Sequence, residues 1–364
     1  MKKELKLMKG NEALAEAAIL AGCDAYFGYP ITPQSEVLEY LSNEATKRTG
    51  MVVLQAESEV ASINMVYGAA GTGKRVMTSS SSPGMSLMQE GISYIACGEV
   101  PCLLVNVQRG GPGLGTIQPG QADYFQAVKG GGHGDYKVLT LAPSTVQEMV
   151  DFVGLGFDLA FKYRNPVMIL TDGALGQMME KVLLPEQKPR KTEYEPWGST
   201  GKPADRERNI IYTLSLQADV MEQWNQRLQA KYRKIEANEV RSEMIDCEGA
   251  DFVLVAYGLV ARICQKAAHL AAEKGIKVGV FRPVTLYPFP YADLNKLADN
   301  VKGFMSVEMN AGQMVEDVRL GVNGKKPVEF HGRQGGIIPS PEEILAKLEE
   351  KLACPAGRFI GELV

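Results

Sequence analysis

At 364 residues, 45% hydrophobic and 23% charged, the chain has the composition of a soluble globular protein. It is longer than one core usually fills, so two domains and a connector are expected. A net charge of −4 and an isoelectric point near 5.7 leave no basic footprint for nucleic acid, and no basic amphipathic helix points to a membrane surface.

The N-terminal lysines precede an apolar run, but Glu4, Glu12 and Glu16 break it before it reaches the length of a signal-peptide core. No later stretch approaches the roughly 20 apolar residues of a membrane span, and a cytoplasmic location is expected. Residues 10–22 carry Ala and Leu at helical spacing. Strands are expected at 25–28, ending in Tyr29-Pro30, and at 51–55, the latter buried. A small-residue helix follows over 59–71, then a strand at 75–79, a helix over 83–97 and a strongly apolar strand at 101–108. A helix over 145–161 and a strand at 166–171 close this part. Continuous apolar strands alternating with helices predict a parallel, doubly covered sheet.

From Pro185 the texture becomes polar and proline-rich, the signature of a connector, and a charge-laced amphipathic helix is expected over 217–241. A second αβ unit then begins, with strands at 252–257, 278–282 and 303–308 and helices over 259–274 and 341–352. Residues 283–290 (PVTLYPFP) read as a turn. The expected organisation is two doubly wound α/β domains, 1–190 and 247–364, joined by a connector over 191–246.

Six cysteines (Cys23, Cys97, Cys102, Cys247, Cys264, Cys354) contain no CxxC pair. That matches neither a zinc site nor an iron–sulfur ligand set and predicts buried, reduced thiols. The run Gly68-Ala-Ala-Gly-Thr-Gly73-Lys74 nearly spells a phosphate-binding P-loop. Arg75 stands where Ser or Thr should meet magnesium, however, and the run leaves a helix for a strand, which is the wrong order; a helix end and tight turn explain the glycines. Gly113-Leu-Gly115-Thr-Ile-Gln118 lacks the third glycine of a dinucleotide fingerprint. The segment from Arg109 to Tyr136 is nevertheless long and glycine-rich, and also holds Gln118, Gln121, Asp123, Lys129, His133 and Asp135. A loop of that kind at the C-terminal end of a buried strand is expected to close over a ligand.

Three strand ends carry candidate chemistry. Tyr29-Pro30-Ile31-Thr32-Pro33 follows the first strand and presents the Thr32 hydroxyl on a proline-stiffened turn. Gln55-Ala56-Glu57-Ser58-Glu59 follows the second, and Arg109 the fourth. Singly these read as a helix cap, a first-turn carboxylate and a solvated arginine; together, at one edge of a sheet, they read as a site.

YPITP, then Ser58-Glu59 with Gly68 nine residues on, then QRGGPG after an apolar strand, resembles the alpha subunit of 2-oxoacid:ferredoxin oxidoreductases. Phe281-Arg282-Pro283, Tyr287-Pro288-Phe289-Pro290 and Glu308-Met-Asn310-Ala-Gly312-Gln313 resemble that family's next domain, which is similar to the transketolase C-terminal domain. The resemblance implies a thiamine-diphosphate pyrimidine-binding-type domain followed by a transketolase C-terminal-like one. It makes Glu59, rather than Glu57, the carboxylate that activates the cofactor, with Tyr29, Pro30 and Ile31 beside the cofactor and Thr32 and Arg109 on the substrate.

The activity implied is coenzyme-A-dependent oxidative decarboxylation of a 2-oxoacid with reduction of ferredoxin. The overall look is closest to the 2-oxoisovalerate type, with 2-oxoglutarate as the alternative and a non-catalytic scaffold as a third reading. Thiamine enzymes hold magnesium and diphosphate through Gly-Asp-Gly and a later Asn. The nearest approach here is Thr171-Asp172-Gly173, so Asp172 is expected at a strand end in the core and this chain is expected to hold no metal. A beta subunit would then supply the diphosphate half of the site with its Mg2+, and a ferredoxin-like subunit the iron–sulfur clusters; a gamma subunit is a further expected partner in some complexes.

Overall fold

The protein is described by a computed structural model over residues 5–190 and 193–353. Cys354 and the outermost ends of the two expected domains lie outside the described residues. In chain order the first part runs β1 (Leu5–Lys9), α1 (Gly10–Leu20), β2 (Ala25–Gly28), α2 (Ser35–Thr49), β3 (Val52–Gln55), α3 (Glu59–Ala70), β4 (Val76–Ser80), α4 (Ser82–Cys97) and β5 (Cys102–Gln108). After the glycine-rich loop come β6 (Leu139–Leu141), α5 (Val146–Tyr163), β7 (Pro166–Asp172), α6 (Gly173–Gln177) and β8 (Met179–Leu183). The long helix α7 (Ala218–Asn238) follows the connector. The remainder runs β9 (Ser242–Ile245), β10 (Phe252–Val255), α8 (Gly258–Glu273), β11 (Val278–Pro283), β12 (Thr285–Tyr287), α9 (Tyr291–Leu297), β13 (Gly303–Glu308), α10 (Met314–Val322), β14 (Val328–Gly332) and α11 (Pro341–Ala353).

Seven strands form the first sheet in the order β12-β6-β7-β5-β4-β2-β3, and five form the second in the order β14-β13-β10-β11-β9. Both are parallel except for the edge strands β12 and β9. β1 and β8 form a separate antiparallel ribbon. β4, β5 and β7 are buried throughout, as continuous apolar runs covered on both faces should be. Helix starts follow local chemistry: Ser58 caps α3 by accepting from the Ala61 amide, Thr145 caps α5 by accepting from that of Glu148, and Asp172 caps α6 with two amides, each satisfying an orphan donor of the first turn.

Two expectations need correction. The strand read as buried at 51–55 is instead the outer edge of the first sheet, with Val52 51% and Leu54 45% exposed. A short apolar run does not distinguish a central strand from an edge strand. Residues 285–287, read as part of a turn, form β12, which pairs with β6 and completes the first sheet. The flanking prolines confine it to three residues at an edge, where a missing N–H is tolerated. Helix α2 lies in a stretch for which no element is expected above. The expected boundary near 247 falls between β9 and β10, while β12, well beyond it, lies in the first sheet. The Gly68–Lys74 run ends α3 and turns into β4.

Candidate active site

In the first sheet the strand order reverses at β2, with β3 on one side and β4 on the other. Ligands bind at such a switch point, outside the carboxyl ends of the strands. The β2–β4 ladder contains only Ala25↔Val76 and Tyr26↔Met77, whereas β2 pairs with β3 through to Gly28↔Gln55. β2 and β4 therefore part company at their C-terminal ends, and side chains bridge the opening: the Tyr26 hydroxyl lies 2.8 Å from Ser79 Oγ, which donates to Gln34 Oε1 at 2.6 Å.

Glu59 stands in this crevice. It opens α3, is 5% exposed, and no donor among the described residues is found on its carboxylate. It faces Gly84, in the first turn of α4, where an added Cβ would lie 2.1 Å from Ser80 Oγ and 2.5 Å from Glu59 Oε1. The Ser80 and Ser81 hydroxyls are buried without partners. Glu57, the competing carboxylate, is exposed and accepts from Ser58 Oγ at 2.9 Å. A buried carboxylate beside an unpartnered hydroxyl, both against a residue with no side chain, is a built receptor for a polar group.

Arg109 lies on the other side of the α4 first turn. Its amide donates to Ser82 Oγ at 3.1 Å, and Ser82 in turn donates to Asp123 Oδ2 at 2.6 Å. Asn106 shares the same carboxylate oxygen at 2.9 Å; burial raises the Asp123 pKa above the ordinary carboxylate range. Arg109 is 6% exposed; its guanidinium donates through Nη1 to the Thr32 carbonyl and through Nη2 to the Leu114 carbonyl, both at 2.8 Å, while Nε is buried without a partner. Arg109 thus ties the YPITP turn to the glycine-rich loop. Of that turn, Tyr29 and Ile31 are half-buried and Pro30 and Thr32 exposed.

The glycine-rich loop is held at both ends. Its tip folds back through an Arg109–Pro119 bridge and packs on the Gly335–Gly336 turn, so that a Cβ on Gly110 would lie 2.7 Å from the Gly336 amide nitrogen. Gln121 fills the corresponding crevice of the second sheet. It donates to the Tyr257 carbonyl at 3.0 Å and accepts from the Met309 amide at 3.1 Å, between the ends of β10 and β13 where that sheet reverses its order. Further along, Tyr124 and Lys129 both reach the buried carboxylate of Asp317, and His133 packs edge-on to Tyr94.

Asp172 ends β7 in the core, 1% exposed, capping α6; burial pushes its pKa up to about 6. Among the described residues no three His, Cys, Asp or Glu side chains are grouped as metal ligands. The five described cysteines are free, and burial pushes the thiols of Cys23, Cys102 and Cys264 far up. No helix among the described residues is long and apolar enough to cross a membrane.

Residues 16–245 match the family described as pyruvate flavodoxin/ferredoxin oxidoreductase, thiamine diphosphate-binding, and residues 250–344 match pyruvate:ferredoxin oxidoreductase core domain II. The chain belongs to this oxidoreductase family. It is 49% identical over 350 residues to ketoisovalerate oxidoreductase subunit VorB of Methanothermobacter thermautotrophicus, covering 95% of this chain and 97% of that one. It is 38% identical to 2-oxoglutarate synthase subunit KorA of Methanocaldococcus jannaschii, covering 94% and 98%.

Among solved structures, a chain of 2-oxoglutarate:ferredoxin oxidoreductase from Magnetococcus marinus, with 2-oxoglutarate, coenzyme A and succinyl-CoA bound, superposes with a TM-score of 0.84 at 29% identity. This chain spans 66% of that longer one. A split-gene transketolase at 12% identity shares the fold with a TM-score of 0.60.

Oxidoreductases of this family depend on thiamine diphosphate, and the Glu59 crevice suits the pyrimidine end of that cofactor. A ring nitrogen carrying a proton would supply the donor that Glu59 lacks, and the missing side chain at Gly84 leaves room for a flat ring. Ser80, Ser82 and Gly84 were not singled out in the sequence. Their signal was the run Ser79-Ser80-Ser81-Ser82-Pro83-Gly84 at the end of the third strand, a polar cluster where an apolar strand meets a helix.

Proposed function

We propose that this chain is the alpha subunit of a 2-oxoacid:ferredoxin oxidoreductase that converts 2-oxoisovalerate (3-methyl-2-oxobutanoate), with coenzyme A, to isobutyryl-CoA and carbon dioxide while reducing ferredoxin. The observation that carries this reading is the buried, unpartnered Glu59 at the sheet's switch point. When bound, thiamine diphosphate supplies the nucleophilic carbon and the electron sink for decarboxylation. Glu59 would accept a hydrogen bond from N1′ of its aminopyrimidine and would move a proton at that atom. Tyr29, Pro30 and Ile31 form the wall against the ring.

Arg109 has N–H groups left over from the Thr32 and Leu114 carbonyls, Nε among them, and these hold the substrate carboxylate. Thr32 adds its hydroxyl at the same point. Leu114 and Ile117 expose apolar side chains on the loop that Arg109 anchors, which favours a branched aliphatic 2-oxoacid over a second carboxylate. The relatives named for ketoisovalerate support the same choice.

A beta subunit with Mg2+ and the diphosphate site and a ferredoxin-like iron–sulfur subunit complete the complex, and a gamma subunit is compatible with it. The division proposed is 1–190 and 247–364 around a 191–246 connector, with β9 of the connector added to the second sheet and β12 of the second part added to the first. The test is coenzyme-A-dependent dye reduction by the complex purified with its partners, on 2-oxoisovalerate, 2-oxoglutarate and pyruvate. The expected result is the highest kcat/KM on 2-oxoisovalerate. A preference for 2-oxoglutarate would replace the substrate assignment, and no turnover of any 2-oxoacid would overturn the class.

A further inference from the structure

A cavity of about 410 Å3 lies between the C-terminal ends of α4 and α5, the connector and α7. It sits at the opposite end of the first sheet from Glu59. Glu99 and Arg164 precede β5 and β7, whereas the candidate active site follows the strands, so the two are separated by the length of β5, about 23 Å at roughly 3.3 Å per residue.

Both tryptophans of the chain, Trp197 and Trp224, line it. The Arg164 guanidinium lies 4.4 Å from the centre of the Trp197 ring, and Tyr212 stands edge-on to Trp224 at 5.2 Å. Three cations gather around Glu99, and only two of them pair with its carboxylate: Arg227 and Lys231 approach it at 3.4 and 3.5 Å, while Arg164 Nε donates to the Glu99 main-chain carbonyl at 3.0 Å. Burial lowers the pKa of Arg164 and pushes that of Lys231 down to about 8, against the opposing pull of Glu99, so the cost of holding the positive charge is only partly offset by that carboxylate. Glu99 and Arg164 also adopt left-handed backbone conformations, φ 51° and 47°, which non-glycine residues take up chiefly where the surroundings demand them.

We propose that this cavity is a second ligand site, for a planar aromatic ring bearing an anionic group, of the mononucleotide class. The aromatic walls supply stacking surface for the ring, and Arg227, paired with Glu99 through Nε but with most of its side chain open to solvent, is the outer end of the cationic cluster that meets the anion, with the forked geometry that suits a phosphate. The connector, otherwise a spacer between the two sheets, forms one wall of the site through Trp197 and residues 209–212.

The two tryptophans make the test direct, because intrinsic tryptophan fluorescence of the full-length chain reports on this cavity alone. AMP is titrated, with adenosine and inorganic phosphate as separate arms and equilibrium dialysis as a second measure of binding. Saturable binding of AMP is expected, at least tenfold tighter than either half alone, with Arg227→Ala weakening it at least tenfold and leaving the circular dichroism spectrum unchanged. Three outcomes would overturn the proposal: AMP bound by neither measure, phosphate alone as effective as AMP, or Arg227→Ala without effect. Trp224→Phe gives an independent check, since it should weaken AMP while leaving phosphate unaltered.

Discussion

Glu59 and Gly84 form one contact, and the two residues make separable predictions. Glu59→Gln keeps the shape but removes the carboxylate proposed to relay a proton, so turnover of the complex should fall by about 10²–10⁴-fold, with the melting temperature of the chain unchanged or raised. Full turnover by this variant would remove Glu59 from the chemistry. Gly84→Ala should act by space alone, since its Cβ would enter at 2.5 Å from the carboxylate. Overpacking of this kind costs about 1–3 kcal/mol, partly offset by roughly 1 kcal/mol of helix propensity. The expected result is a near-normal melting temperature with much weaker thiamine diphosphate binding by calorimetry.

Asp172 predicts a pH effect of definite sign. Its folded pKa, about 6, lies above its ordinary value of 3.8, so between these values the folded state binds more protons than the unfolded. The contribution of Asp172 to stability is therefore most favourable below about pH 4, declines as the pH rises to 6 and is flat beyond, by about 3 kcal/mol in all. Asp172→Asn, which can still cap α6, should remove that slope in urea titrations at pH 4 and 7.

At this scale the sequence was legible where a residue type is scarce for its position, as with Glu59 at the head of a small-residue helix. Ser80 and Gly84 were not, because serine and glycine beside a helix start have an ordinary capping explanation.

Elements meet through a buried ionic clasp. Arg282 of β11, 1% exposed, donates to both carboxylate oxygens of Glu148 on α5 at 2.5 and 2.7 Å and to Glu243 of β9 at 2.9 Å. Burial alone would raise the Glu148 pKa, but the guanidinium holds it below the usual range. Arg282→Ala would strand that carboxylate, and a loss of about 3–5 kcal/mol is expected from denaturant midpoints. The double variant Arg282→Met/Glu148→Leu should lose markedly less, because it removes both charges. The parallel strands and most helices were legible from apolar periodicity. β12 and the edge position of β3 were not, since both depend on which strand lies alongside, and a local pattern carries no such information.

The whole molecule is joined across its two sheets. β12 closes the first sheet from beyond the second sheet's own β9, β10 and β11, Gln121 plugs the second sheet's crevice, and the Gly335–Gly336 turn rests on the Arg109 loop. The intact chain should therefore unfold in one calorimetric transition. A fragment of residues 1–245 should show rapid hydrogen exchange at Leu139–Leu141 and aggregate through the exposed edge of β6. Two independent transitions would contradict this coupling.

The β6–β12 pairing also sets an order of events at the ribosome. β6 is synthesised roughly 140 residues before its partner, and at about 5–20 residues per second its open edge waits some 7–30 s for Thr285–Tyr287 to emerge. The segment most exposed to mispairing during synthesis is thus fixed by this strand exchange, and a nascent-chain chaperone would find its target there.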